Sequence, residues 1–179
     1  MLGYGVIAVE NSRPVFKDMG VLDLRKEKSP YTKLARIYEK VISLIEHYSI
    51  CHVACESPFY GKNAQVILKL GRAQGAAITA AAHKGLQVSE YAPREAKMAI
   101  VGNGAASKEQ VKLMVLKTLG LEADPKFLDA TDALGIALCH FYSLTGPFSA
   151  SRVSGSSSSR KKGGGCWEDF IKEHPERVK

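Results

Sequence analysis

The chain has 179 residues, 45% of them hydrophobic, and a formal net charge of +7. That length suits one domain with a sizeable core, and no apolar run is long enough to read as a membrane-spanning helix. Nothing near Met1 resembles a secretory signal or a membrane anchor, so a cytoplasmic protein with no membrane partner is expected.

The charge predicts a polyanionic partner, and its distribution sharpens the prediction. Between Tyr60 and Lys117 nine basic residues face three acids, a local charge of +6. Such a bias in the middle of a chain reads as a phosphate-tracking surface, with ordinary solvated helix faces as the alternative. Cys51, Cys55, Cys139 and Cys166 form no Cys-x-x-Cys pair. The first three fall in apolar runs and are expected as reduced core residues rather than zinc ligands or disulfides.

In chain order, Met1 to Glu10 reads as a strand, Asn11 to Pro14 as a polar turn, and Val15 to about Leu24 as a second strand of an antiparallel hairpin. Tyr31 to Tyr48 carries Leu34, Ile37, Tyr38, Val41, Leu44 and Ile45 at helical spacing. Cys51 to Glu56 reads as a short buried strand ending on a carboxylate, followed by the turn residues Pro58 to Gly61. A long helix from Asn63 to about His83 contains Gly71, Gly75 and many alanines, which suits close approach by another helix. Leu86 to Tyr91 reads as a strand, Pro93 to Ile100 as a helix, and Gly102 to Gly104 as a loop. Ser107 starts a further helix with Gln110 as its capping-box partner, and Gly120 stops it. Pro125 opens the last helix, which runs past Asp129 and Asp132 to His140. Hairpin strands followed by alternating helices and strands make an α/β domain.

Residues 1–144 are expected to form that domain. A flexible Ser, Gly and basic linker is expected over 145–165 and a short tail over 166–179. In the tail, Trp167, Phe170 and Ile171 recur at helical spacing, which suits either a frayed end or a docking segment.

Asp129 and Asp132 lie three apart, on one helix face in an otherwise apolar segment. Burial of two like charges is costly, so the pair reads as feeding a bound cation, with solvated first-turn acids as the alternative. Glu56 at a strand end stands where α/β folds place chemistry, or is a plain strand-end acid. Together the three acids outline a metal site able to activate water for displacement at phosphorus. His140 follows Asp129 by 11 residues, roughly 16 Å along a straight helix, and is read as structural.

Six blocks carry a family resemblance: Gly3 to Ile7, Ala54 to Phe59, Lys62 to Ala64 with Leu68 to Gly75, Tyr91 to Arg94, Val101 to Gly104, and Asp129 to Leu134. In this order and at these spacings they resemble the RuvC family of Holliday-junction resolvases, from Gly3 to about Tyr142. The resemblance implies a ribonuclease H-like mixed sheet flanked by helices and a homodimer. It further implies nicking of four-way DNA junctions that depends on Mg2+, with two ions and Mn2+ as a substitute, beside the RuvA and RuvB branch-migration proteins. It assigns metal binding and catalysis to Glu56, Asp129 and Asp132. DNA contacts fall to Phe59, by stacking on unpaired bases, and to the basic residues Lys62, Arg94, Lys97 and Lys108. The helix from Asn63 matches the family's dimer-forming helix.

The chain departs from the family pattern at its start. Family members carry a strand ending in an Asp-Pro-Gly loop before the Gly-Tyr-Gly-Val strand, and that aspartate is the first metal ligand. Here neither is present, so the sequence reads as shortened, with the central strand missing between the hairpin and Cys51 to Glu56. Impaired stability and cleavage are expected from unpaired backbone groups and an open metal site. A junction-binding protein without cleavage is the alternative, followed by another ribonuclease H-like nuclease and by a purely structural protein.

Overall fold

The computed structural model describes residues 1–57, 63–121 and 128–145. Strands β1 (Leu2–Glu10) and β2 (Arg13–Leu22) pair antiparallel from Leu2 opposite Leu22 to Glu10 opposite Arg13. The turn is tighter than the sequence suggests, because Asn11 and Ser12 both take left-handed φ, at 50° and 60°. Two such residues close a hairpin whose twist matches the strands, so pairing resumes at once. Pro14 is thereby drawn into β2, where it sits opposite Val9 on a strand with only one neighbour in its sheet.

Helix α1 (Pro30–Tyr48) starts on the Ser29 cap and buries Ile37, Leu44 and Ile45. Strand β3 (Val53–Glu56) runs parallel to β4 (Val88–Tyr91), joined by α2 (Ala64–His83), which packs on α1. Helices α3 (Pro93–Val101) and α4 (Lys108–Thr118) follow. The capping box of α4 is formed as expected: Gln110 N–H donates to Ser107 Oγ at 3.2 Å and Ser107 N–H to Gln110 Oε1 at 2.9 Å. Helix α5 (Leu128–Thr145) ends the described part, one residue into the segment read as a linker. The rest of that linker, the tail and the expected start at Pro125 lie outside the described residues.

Strands β3 and β4 are shorter than expected, and β3 is half-buried rather than buried. Among the described residues there are two sheets of two strands each, β1 with β2 and β3 with β4. A strand with one open edge keeps solvent on that flank, which is why Val53, Ala54 and Cys55 remain partly exposed. Cys51, just before it, is exposed rather than a core residue, whereas Cys55 is half-buried and Cys139 buried, all three reduced. The break between sheets falls between the hairpin and β3, where the missing strand was expected.

Helix α5 spans that break, contacting all four strands. On one side Leu134 and Leu138 pack with Val115 of α4, and Ile7, Phe16 and Met19 of the hairpin close over them. On the other, Ile136 and Cys139 pack with Tyr91 and Ala96, joined by Ala54 of β3. No helix among the described residues is long and apolar enough to cross a membrane.

His140 belongs to this packing. Ser143 Oγ donates to the His140 carbonyl at 2.7 Å, which uses its only proton. Tyr91 Oη must therefore donate to Ser143 Oγ, at 2.6 Å, and accept from His140 Nδ1–H, at 2.8 Å. This leaves Nε2 as a bare, buried lone pair with no hydrogen-bond partner among the described residues. Burial first, and the neighbouring His52 second, lower the His140 pKa below its usual 6.5. An unfolded chain then binds this proton more readily than the folded one, so the contribution is complete above about pH 6.5 and lost as pH falls below it. Thermal melts should show the melting temperature dropping between about pH 7 and pH 5, with a shallower slope in His140→Gln. Tyr91→Phe leaves the buried His140 Nδ1–H without its acceptor and should cost about 1–3 kcal/mol in denaturant unfolding.

Candidate active site

Glu56 closes β3, and its backbone stands opposite Tyr91 in the parallel ladder. Asp132 lies in the first turns of α5, which docks on the same strands. The two carboxylates meet at a cleft of about 120 Å³, whose other walls are Lys97 and Ile100 of α3, Lys108 and Val111 of α4, and Gly135 and Ile136 of α5. Lys108 Nζ reaches Asp132 Oδ2 at 3.4 Å, a solvated ion pair of little strength. Lys97 is fixed more firmly. Its ammonium donates to the Ala106 carbonyl at 2.6 Å, tying α3 to the segment before α4 and holding positive charge at the cleft wall.

Glu56 is exposed overall, yet the apolar side chains that share the cleft take enough water from its carboxyl to raise its pKa above 4.5. Repulsion from Asp132 raises it further, while Lys108 opposes the shift. Two carboxylates at one cleft, with ammonium groups beside them, form an oxygen-donor set of the kind that suits a hard divalent cation. The fit is incomplete. Among the described residues no group of three His, Cys, Asp or Glu stands close enough to hold a metal ion.

Asp129 occupies the first turn of α5 and is exposed, with its backbone against Gly3 of β1. It is not among the residues lining the cleft. The acids are thus less buried than the apolar pattern around them suggests, since the Asp132 side chain also keeps 42% of its surface. Arg94, one turn before Lys97, is exposed, with its stem along Gly104. Phe59 and Lys62 lie outside the described residues. The structure therefore gathers Glu56, Asp132, Lys97 and Lys108, and leaves Asp129 and Arg94 nearby on the same helices.

Sequence reasoning missed the place of Gly3 in this arrangement. The signal was present: glycine weakens a strand interior, yet Gly3 and Gly5 alternate on one face of β1, which marks a close approach by another element.

Residues 1–140 match the profile of a family described as "Crossover junction endodeoxyribonuclease RuvC". The chain is 46% identical over 181 residues to a protein of that name from Bacteroides fragilis, covering 100% of this chain and 90% of the relative. A namesake from Cytophaga hutchinsonii is 43% identical, covering 100% and 83%. Among solved structures, Thermus thermophilus RuvC superposes with a TM-score of 0.73 at 34% identity, covering 80% of this chain and 89% of that one. The same protein in complex with a Holliday junction substrate gives 0.71 at 32% identity, covering 80% and 88%. Matches of this extent, over the residues that build the hairpin, the cleft and α5, place the chain in the RuvC family of crossover junction endodeoxyribonucleases.

Proposed function

We propose that this protein is a cytoplasmic endonuclease that resolves four-way DNA junctions by metal-dependent nicking. The observation that carries the reading is the meeting of Glu56 and Asp132 with Lys97 and Lys108 at one cleft. Glu56 and Asp132 would hold divalent metal, with Asp129 a turn earlier as the third acid. Mg2+ fits this hard oxygen set best, Mn2+ would replace it, and two ions match the chemistry of in-line displacement at phosphorus. Bound there, the metal supplies an activated water and charge compensation at the leaving oxygen.

The chain's own groups do the rest. The ionised Glu56 carboxylate would be favoured by a bound cation, against the burial and the Asp132 charge that oppose it. Lys97, braced by Ala106, presents fixed positive charge to a phosphate, and Lys108 can exchange Asp132 for the DNA backbone. Arg94 extends this basic edge, and the family resemblance adds Lys62 and Phe59 as contacts to the junction.

A homodimer is supported by α2. Val66, Leu68 and Leu70 are 48%, 56% and 55% exposed. A Cβ at Gly71 or Gly75 would meet nothing within 4 Å, so another helix can approach closely. Collaboration with RuvA and RuvB rests on the family resemblance. A second reading, junction binding without cleavage, is favoured by the lack of a three-ligand group among the described residues.

The deciding assay is Mg2+-dependent cleavage of a labelled four-way junction by this chain, beside a form extended at its N-terminus by an Asp-bearing strand. Cleavage by either form, lost about a hundredfold or more in Glu56→Gln and Asp132→Asn, supports the nuclease. Tight binding with no cleavage by either form supports the second reading. Because the fold raises the Glu56 pKa, its charged form is disfavoured in the folded state, so Glu56→Gln should melt no lower than the parent without metal. Lys97→Ala and Lys108→Ala should each reduce the salt dependence of junction binding by about one unit in a log–log plot.

A further inference from the structure

Alternate residues of a strand face the same way, so Gly3 and Gly5 present one bare face of β1 to α5. A Cβ on Gly3 would stand 2.5 Å from the carbonyl carbon of Asp129 and 2.9 Å from its Cβ, and nearer still to the carbonyl oxygen. A Cβ on Gly5 would stand 2.8 Å from the backbone nitrogen of Leu134. These obstacles include helix backbone, which cannot rotate aside as a side chain can. Ordinary contact begins at 3.4 Å, so the smallest side chain at Gly3 would lift the first turn of α5 by about 1 Å.

We propose that Gly3 is a positioning residue for Asp129: its missing side chain lets the acid-bearing first turn of α5 rest on β1, which sets where Asp129 stands relative to Asp132 and Glu56. The metal role of Asp129 rests on the reading above. A displacement of about 1 Å exceeds the ~0.2 Å within which ligand distances are held, so Gly3→Ala acts on the metal through Asp129 without touching it. Leu138→Ala serves as the internal comparison. Leu138 lies on the same helix, fully buried against Val115, and its truncation loosens the core without pressing on the acid-bearing first turns of α5.

The experiment compares the parent, Gly3→Ala, Leu138→Ala and Asp129→Asn by Mn2+ titration at a temperature below every melting transition. Gly3→Ala should weaken Mn2+ binding about tenfold or more, as Asp129→Asn does, and excess Mn2+ should restore part of any cleavage. Leu138→Ala should lower the melting temperature while keeping the parent's Mn2+ affinity within about twofold. Unchanged Mn2+ binding in Gly3→Ala overturns the proposal. So does an equal loss in Gly3→Ala and Leu138→Ala that tracks their melting temperatures, because that is general destabilisation. Mn2+ binding insensitive to Asp129→Asn, or absent from the parent, also overturns it, since no ligand is then being positioned. If the parent binds Mn2+ through Asp129 but cuts no junction, the nuclease reading fails alone and the role of Gly3 stands.

Discussion

The packing of α5 across two unconnected strand pairs is the constraint on which this structure depends. The hairpin and the β3/β4 pair share no hydrogen-bonded ladder, yet both lie against this one helix. Leu134 and Leu138 are fully buried on it, each worth roughly 1.5–3 kcal/mol relative to exposure. The helix therefore substitutes side-chain packing for the directional pairing that a continuous sheet would supply. Packing of this kind tolerates small shifts more readily than a ladder does, so the distance between the strand pairs is set by what lies on the faces of α5.

The same helix carries two of the three acids proposed to hold metal, which would couple the chemistry to the core. Asp132 shares its turn with residues that pack toward Tyr91 and Val115, while Asp129 stands where β1 touches the helix start. Glu56 arrives from the other strand pair. The spacing of the acids is therefore a readout of how the two halves dock, not a property of either half. The raised pKa of Glu56, whose ionised form is opposed by partial burial and by Asp132, is a consequence of that docking.

Local features were legible in the sequence. The helical spacing of α1, the capping box of Ser107 and Gln110, and the hairpin all follow from short-range rules, and His140 proved structural as its distance from the acids implied. The turn was misjudged because Asn11 and Ser12 adopt left-handed angles that need no glycine, so pairing starts at Arg13. The exposure of Cys51 and of Asp129 was not legible, since an apolar neighbourhood in sequence says nothing about which side of an element stays open. Bringing Glu56 beside Asp132 is a long-range event, which the residue types outlined and the ordered family blocks made specific.

The size of the cleft bears on where selectivity resides. Pockets that recognise drug-sized ligands hold roughly 300–1,000 Å³, and this one holds about 120 Å³. It has room for cations and the edge of a phosphate, but not for a base or a sugar read in detail. Any phosphodiester of suitable approach satisfies such a site, so preference for a four-way junction must come from outside it. The proposed dimer supplies a means: two identical clefts held at a fixed separation accept a substrate whose strands present two phosphates at that spacing. On this view the exposed apolar residues of α2 bear on specificity in a way that Lys97 and Lys108, inside the cleft, do not, because in the proposed dimer they would set a distance that a simple duplex does not match.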